Sequence, residues 1–182
     1  MLIGISGKFG VGKDTLVEKI LENLNGKGVK CAHLKFADDL KKVCSIVSGT
    51  KLEDHYSQDG KEKMVKEIGM TIGRLQQVLG TSLRESVHPD IWVLPIIKFY
   101  EKNPDTVCVI SDCRFKNEAN AIRNNGGVIL RINRNIEVKN GRDPNHISEV
   151  DLDDYNFDFI IENDFSIGEM VNKAFSFLNF RV

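Results

Sequence analysis

The stretch Gly4 to Leu16, GISGKFGVGKDTL, contains the residue types and the spacing best suited to chemistry. Gly7 and Gly12 stand five residues apart, and Lys13 follows directly. Glycines let successive backbone N–H groups curl around phosphate oxygens, and the lysine reaches the β- and γ-phosphates of a nucleotide. The pattern therefore predicts a nucleotide phosphate site made of Gly7, Lys8, Gly10, Gly12, Lys13, Asp14 and Thr15.

Asp14 departs from the usual form of this loop, which has serine or threonine there as a ligand of Mg²⁺. Thr15 lies one residue later. A carboxylate also suits Mg²⁺, directly or through bound water, because this hard ion prefers oxygen ligands. The alternative is a first-turn acid that interacts favourably with the helix dipole, worth about 0.3–1 kcal/mol.

The stretch VCVISDCRF places Asp112 at the carboxyl end of a predicted buried strand. Ligands of open α/β sheets bind just outside such ends, so Asp112 is expected near the metal and the phosphates. The alternative is a helix-capping or turn aspartate. Arg114 follows two residues later, and its planar guanidinium suits a substrate phosphate. A surface salt bridge is the alternative for Arg114.

Short apolar runs that alternate with helical periodicity must position these residues. Such alternation indicates an α/β fold with a parallel sheet covered by helices on both sides. Residues 48–62 are predicted as a loop, and residues 63–101 as a helical region with a break at VHPD. Strands are predicted over 2–6, 30–36, 106–111, 126–133 and 157–162.

Composition restricts the class of protein. The 182 residues fit one domain, and the formal net charge of −1 gives no global attraction to nucleic acid or membranes. No apolar run approaches the ~20 residues that span a bilayer, and the N-terminus lacks a secretory signal pattern. None of the four cysteines forms a Cys-x-x-Cys pair, so no zinc site is expected. Reduced thiols favour a cytoplasmic protein.

A series of motifs runs along most of the chain: GKDT (12–15), FADDLK (36–41), TIGRLQQVLGTSLRESVHPDIWV (71–93), ISDCRFKNEANAI (110–122) and HISE (146–149). Together they resemble the deoxynucleoside monophosphate kinases of bacteriophages and large DNA viruses. The Gly-Lys-Asp-Thr loop is usual in that family. The animal-type phosphomevalonate kinases share the Gly-Lys-Asp loop and the His-x-Ser-Glu signature, so the resemblance leaves the acceptor open.

The resemblance implies an adenylate-kinase-like P-loop fold with a five-stranded parallel sheet. It implies ATP on the loop, with Mg²⁺, and a deoxynucleoside monophosphate as acceptor. The single domain, 1–182, would carry a helical acceptor-binding insertion at about 49–102 and a lid at about 133–147. The loop with Asn163 and Asp164 would contact adenine, although the sequence END alone indicates only a turn.

The acceptor site is predicted to draw on Phe36, Asp38, Arg74, Gln76, Gln77, Arg84, Trp92, Asp112 and Arg114. Arg74 and Gln77 are three residues apart, so they share a helix face that could bind a phosphate and a base edge. A solvated helix face is the alternative. Trp92 would stack on a base or pack in the core. Asp38 would bond a sugar hydroxyl or cap its helix.

The polar segment 134–145 is a lid candidate because it carries Arg134 and Arg142. Arginines that arrive on lid closure stabilise charge on the transferred phosphoryl group and exclude water. With Lys13 and Arg131 they form the predicted catalytic set. An exposed basic loop is the alternative.

The leading hypothesis is an ATP- and Mg²⁺-dependent kinase that converts deoxynucleoside monophosphates to diphosphates, in the host cytoplasm if the protein is viral. Neither nucleic acid nor a membrane is an expected partner. Related kinases are often dimers, which leaves a homodimer open. The alternatives are a kinase of phosphomevalonate or another phosphorylated metabolite, and a nucleotide-binding regulatory module without transfer activity.

Overall fold

The computed structural model describes residues 1–134, 147–164 and 166–178. Its packing divides the chain into unit 1, Met1–Lys35 with Ile97–Val182, and unit 2, Phe36–Ile96. The strands are β1 Leu2–Ser6, β2 Cys31–Leu34, β3 Met64–Val65, β4 Met70–Thr71, β5 Val107–Ile110, β6 Val128–Asn133 and β7 Phe159–Glu162. The α-helices are α1 Lys13–Gly26, α2 Ala37–Ser48, α3 Gln58–Glu62, α4 Ile72–Ser86, α5 Leu94–Lys102, α6 Lys116–Asn124, α7 Ile147–Val150 and α8 Ile167–Leu178.

In unit 1, β1 is the central strand of a five-stranded sheet in the order β2–β5–β1–β6–β7, and every neighbouring pair is parallel. Because β1 is buried along its whole length, the sheet needs helices on both faces. Ile3 and Ile5 belong to the core cluster that contains residues of α1 and α8. On the other face, a Cβ atom at Gly4 would lie 2.7 Å from Cδ1 of Ile122 in α6. The predicted α/β fold with a five-stranded parallel sheet is confirmed.

The strand register determines which residues meet at the carboxyl edge of the sheet. Gly4 of β1 pairs with Ile110 of β5, so Asp112 comes level with Ser6, two residues further along. On the other side of β1, Ser6 pairs with Arg131 of β6. Asp112 and Arg131 therefore flank the point where the chain leaves β1.

In unit 2, the prediction of a loop over residues 48–62 is wrong in part. A 3-10 helix, Leu52–His55, and α3 lie within this segment. Before α3, the Ser57 hydroxyl accepts the backbone N–H of Gly60 at 3.0 Å, which fixes the start of the helix. The prediction missed these elements because caps stabilise short helices that have no apolar period.

The prediction of a helical region from residue 63 is also wrong at its start. The strands β3 and β4 form an antiparallel hairpin, in which Met64 pairs with Thr71, and α4 begins only at Ile72. The turn contains Gly69 with φ of 71°, a left-handed conformation that favours glycine. The Thr71 hydroxyl then caps α4 by accepting the N–H of Arg74 at 3.2 Å. The predicted break at VHPD is confirmed, because α4 ends at Ser86 and α5 begins at Leu94.

All four cysteines are free thiols, and three of them, Cys44, Cys108 and Cys113, are buried. Burial raises the pKa of Cys44 to about 11 and that of Cys113 well above its ordinary value. These thiols therefore stay protonated and pack as small apolar groups. Within the described ranges, no helix has both the length and the apolarity that crossing a bilayer requires.

Candidate active site

The loop between β1 and α1 has a backbone conformation that glycine adopts far more readily than other residues. Gly12, directly before α1, has φ of 103°, and a Cβ atom there would lie 3.2 Å from Nδ2 of Asn163. Gly7 has φ of 152°, and a Cβ atom there would lie 2.7 Å from the backbone oxygen of Ile132. Gly12 has no side chain to cap α1, so the first N–H groups of the helix suit an anion.

Lys13 folds back onto this loop. Its Nζ atom donates to the backbone oxygens of Gly7 at 2.8 Å and Lys8 at 2.7 Å. Burial lowers the pKa of Lys13 to about 8; the positive charge of Arg114 acts in the same direction, and the negative charge of Glu149 opposes it. A phosphate chain in the loop would supply the negative charge that such a lysine needs.

Asn163 connects the end of β7 to the loop. Its side chain is 6% exposed, and Nδ2 donates to the backbone oxygen of Val11 at 2.8 Å. This bond fixes the loop just before Gly12, where the backbone of a phosphate site has to be held. The neighbouring Asp164 is exposed.

A cavity of about 300 Å³ adjoins the loop within unit 1. It lies beside the loop, the end of β6 and the end of β7. Its volume is at the lower end of the ~300–1,000 Å³ that is typical for small-molecule sites. Its lining residues are Lys8, Val11, Arg131, Ile132, Asn133, Arg134, Glu162 and Asp164.

A buried carboxylate fixes the segment after β5. Glu118, which is 1% exposed, accepts the backbone N–H groups of Arg114 at 2.8 Å and Phe115 at 3.1 Å. These two bonds hold the turn that leads from Asp112 into α6. The residue before α6 is Phe115, so Asp112 does not occupy the N-cap position of that helix.

Arg131 is a nearly buried cation beside β1. Its guanidinium donates to Oγ of Ser6 at 3.2 Å and to Oδ1 of Asp153 at 3.0 Å. The other oxygen of Asp153 lies 3.4 Å from Nζ of Lys8 in the loop. Asp153 thus connects the loop lysine to the strand arginine, and both cations remain at the edge of the cavity.

The predicted metal ligands are oxygen donors: Asp14 and Thr15 lie in the first turn of α1, and Asp112 follows β5, level with the end of β1. Asp14 lies in the first turn of α1, its side chain is 81% exposed, and Nζ of Lys35 lies 3.9 Å from its carboxylate. Among the described residues, no group of three or more His, Cys, Asp or Glu side chains is placed to hold a metal. Asp14, Thr15 and Asp112 are oxygen donors of the kind that Mg²⁺ prefers, and a Mg²⁺ held mainly by phosphates would need only one or two of them.

In unit 2, two of the predicted acceptor residues share a face of α4, as expected. Nη1 of Arg74 donates to Oε1 of Gln77 at 3.4 Å. Gln76 instead bonds inward, since its Nε2 donates to the backbone oxygen of His55 at 3.1 Å and to Nδ1 of the same residue at 3.0 Å. Since Nδ1 accepts, His55 is neutral with its proton on Nε2, which donates to Oγ1 of Thr50 at 2.8 Å.

Phe36 and Trp92 are buried, and Nε1 of Trp92 donates to the backbone oxygen of Gly80 at 3.1 Å. This placement favours the packing alternative for Trp92. Asp38 accepts the hydroxyl of Tyr56 at 2.9 Å. The N-cap residue of α2 is Phe36, so Asp38 does not cap that helix. Arg84 is half-buried in the last turn of α4.

Three acidic residues at the site were not among the predicted ones. Glu118 fixes the turn after β5, Asp153 pairs with Arg131 and Lys8, and Glu149 pairs with Arg114. Glu118 and Glu149 belong to motifs that the sequence analysis quoted, whereas Asp153 belongs to none of those motifs.

Of the two arginines in the lid candidate, Arg134 is exposed and lines the cavity. Arg142 lies outside the described residues.

A glycine loop with lysine, placed between the central strand of a parallel sheet and the helix that follows, defines a P-loop phosphotransferase. Over residues 31–174 the chain matches the family Deoxynucleotide monophosphate kinase. It belongs to the deoxynucleotide monophosphate kinase family. A candidate deoxynucleotide monophosphate kinase of Acanthamoeba polyphaga mimivirus is 30% identical to it over 191 residues, which cover 97% of this chain and 95% of the viral one.

Among solved structures, a shikimate kinase from Bacteroides thetaiotaomicron matches 98% of this chain and 98% of its own. The identity is 13% and the TM-score is 0.42. At this level the likeness supports no conclusion about the site.

Proposed function

We propose that the enzyme transfers the terminal phosphoryl group of ATP, with Mg²⁺, to a deoxynucleoside monophosphate and so forms a diphosphate. The observation that carries the proposal is the phosphate loop of unit 1, in which Lys13 begins α1 at the carboxyl edge of the sheet. Burial and the charge of Arg114 lower the pKa of Lys13 despite the opposing charge of Glu149, and the phosphates of a nucleotide would stabilise its ammonium form. Membership of the family supports the acceptor class.

The donor nucleotide would bind in unit 1. The backbone N–H groups of residues 7–13 and the ammonium of Lys13 would hold its phosphates, and the adjoining cavity would hold its nucleoside part. Asn163 would act by fixing the loop through Val11, and Asp164 would line the nucleoside end of the cavity. Arg131, Arg134 and Arg142 are the proposed cations that stabilise the charge of the transferred group.

Mg²⁺, when bound, neutralises phosphate charge and orients the phosphates. Asp14, Thr15 and Asp112 are the oxygen donors that would hold it or its water shell. The exposed carboxylate of Asp14 could bind Mg²⁺ without breaking a buried ion pair.

The acceptor monophosphate would be bound by arginines. Arg114 is the proposed phosphate ligand in unit 1, and Arg74, Gln77 and Arg84 are the proposed acceptor ligands of unit 2. Acceptor contacts of Phe36, Asp38, Gln76 and Trp92 stay predictions. The acceptor oxygen is already ionised at neutral pH, so no general base is needed. Catalysis would consist of alignment and charge stabilisation.

The test is a coupled assay of the full chain with ATP, Mg²⁺ and each of the four deoxynucleoside monophosphates. Ribonucleotides and phosphomevalonate serve as further acceptors. Formation of a deoxynucleoside diphosphate is expected. Phosphorylation of phosphomevalonate alone would change the acceptor, and ATP binding without any transfer would favour the regulatory module.

The substitution Lys13→Ala is expected to lower kcat/KM by about 10²–10³-fold, the range for loss of one transition-state charge contact. Lys19→Ala is the matched control, because Lys19 lies on the same helix, is exposed and pairs only with Glu22 among the described residues. Equal activity of the two variants would contradict the assignment of the loop. A cytoplasmic location, consistent with the free thiols, stays part of the proposal.

A further inference from the structure

Glu149 forms the last position of the His-x-Ser-Glu sequence and lies on the short helix α7. Its carboxylate accepts from Nη1 of Arg114. The two side chains are 10% and 23% exposed, so the pair has lost most of its water. A carboxylate in such a place is stable only when a cation compensates its lost hydration.

Arg114 needs a partner of this kind. Its backbone is fixed by Glu118, but its long side chain keeps several rotatable bonds. The guanidinium charge acts on the ammonium of Lys13, so the two cations repel each other. Without a counter-charge, this repulsion would favour conformations in which the guanidinium turns away from the phosphate loop.

A guanidinium has five N–H donors in a planar fork. A carboxylate that binds Nη1 therefore leaves Arg114 able to donate to a phosphate at the same time. The pair resembles the arrangement in which an outer carboxylate orients a residue that itself contacts the ligand.

We propose that Glu149 is a positioning residue that holds the guanidinium of Arg114 in the orientation that binds the acceptor phosphate. The inference rests on the proposed function, in which Arg114 is an acceptor ligand. Positioning and competition predict opposite changes in acceptor affinity. If Glu149 competed with the phosphate for Arg114, removal of the Glu149 carboxylate would strengthen acceptor binding. If Glu149 positions Arg114, removal of the Glu149 carboxylate weakens acceptor binding.

Glu149→Gln in the full chain keeps the size of the side chain and removes its charge. The acceptor KM is expected to rise on the order of tenfold or more, as for loss of a charge-assisted hydrogen bond. The KM for ATP is expected to change by less than about twofold, because the loop and Lys13 are unchanged. Glu149→Asp keeps the charge and should recover part of the acceptor affinity.

The matched control is Asp154→Asn. Asp154 lies close to Glu149 in sequence and also pairs with a cation, but its partner Lys116 is exposed. This variant should leave both KM values within about twofold of the wild type. Thermal unfolding of each variant tests whether a kinetic change reflects loss of folded enzyme, and Glu149→Asp provides the kinetic comparison if Glu149→Gln is unstable.

A double-mutant cycle tests the route through Arg114. In an Arg114→Ala background, Glu149→Gln should have no further effect on the acceptor KM. Additive effects, a lowered acceptor KM, or kinetics of Glu149→Gln equal to those of Asp154→Asn would each overturn the inference. A wild-type enzyme that phosphorylates no acceptor would overturn the proposed function and this inference together, whereas an active wild type with an unaffected Glu149→Gln would overturn the inference alone.

Discussion

Binding of ATP to the enzyme is expected to be coupled to protonation of Lys13. In the free enzyme, burial and the charge of Arg114 lower the pKa of Lys13 to about 8. Phosphates in the loop favour the ammonium form and would return its pKa toward the ordinary lysine value of 10.5. The free enzyme therefore binds fewer protons than the complex in the interval between these two values, and ATP binding weakens as pH rises through it.

The magnitude follows from the position of the pKa. With a pKa of about 8, Lys13 is about 90% protonated at pH 7, about half at pH 8 and about 10% at pH 9. The enzyme should therefore take up about 0.1, 0.5 and 0.9 protons per ATP bound at these three pH values. The apparent Kd should rise about twofold at pH 8 and about tenfold at pH 9, relative to its value at low pH.

Isothermal titration calorimetry measures both quantities when ATP is titrated in pairs of buffers that differ in ionisation enthalpy. EDTA is included so that no metal at Asp14 or Thr15 shifts the pKa of Lys13. The last ionisation of a phosphate monoester lies near pH 6, so ATP contributes little above pH 8. Lys13→Arg is the matched control, because a guanidinium stays protonated throughout this range.

The wild type should show uptake that grows from pH 7 to pH 9, and Lys13→Arg should show none at pH 8 and pH 9. A wild-type affinity that is flat from pH 7 to pH 9 would refute the reasoning. Equal uptake by the two proteins would refute it as well, because the proton would then bind elsewhere.

Two further predictions concern buried groups. Glu118→Ala should lower the free energy of unfolding by about 2–4 kcal/mol, because two partly buried N–H groups lose their acceptor. The control is Glu169→Ala, at an exposed carboxylate that also accepts a backbone N–H, and it should lower the free energy of unfolding much less. Urea titration measures both variants, and equal losses of unfolding free energy would argue against the structural role of Glu118. Burial lowers the pKa of His55, so the unfolded state binds more protons, and the unfolding free energy should fall as pH drops below 6.5 and through the folded pKa. His55→Gln should remove this part of the pH dependence, which urea unfolding between about pH 4.5 and 7.5 measures. The control His33→Gln, at an exposed histidine, should keep the pH dependence of the wild type. Identical pH profiles of the two variants would contradict the prediction.

The phosphate loop was predictable because its signal is local. Gly7 and Gly12 are required by the backbone conformation of the loop between β1 and α1, which depends on neighbouring residues, whereas the role of Lys13 toward phosphate stays a prediction. The parallel sheet was predictable for a similar reason, since strands buried on both faces read as continuous apolar runs.

The start of α4 was not predictable from apolar spacing. The Gly69 turn and the Thr71 cap act through single hydrogen bonds and one backbone angle, which a periodic pattern does not register. The hydrogen-bond partner of the Gln76 side chain was not predictable from its position on the helix either. A polar residue on a predicted binding helix bonds to His55, because the fold of unit 2 brings a backbone oxygen and a ring nitrogen within its reach.

The sequence by itself determined which residues are available for chemistry: a glycine loop with a lysine that suits phosphates, arginines that suit phosphate ligands, and a sheet that places strand ends at one edge. Only the tertiary structure decided which charges neutralise each other. Arg114 with Glu149, and Arg131 with Asp153, are separated by 35 and 22 residues. Pairing of charges depends on distances of a few ångströms, and residues so far apart in the chain reach those distances only through the packing of the elements that carry them.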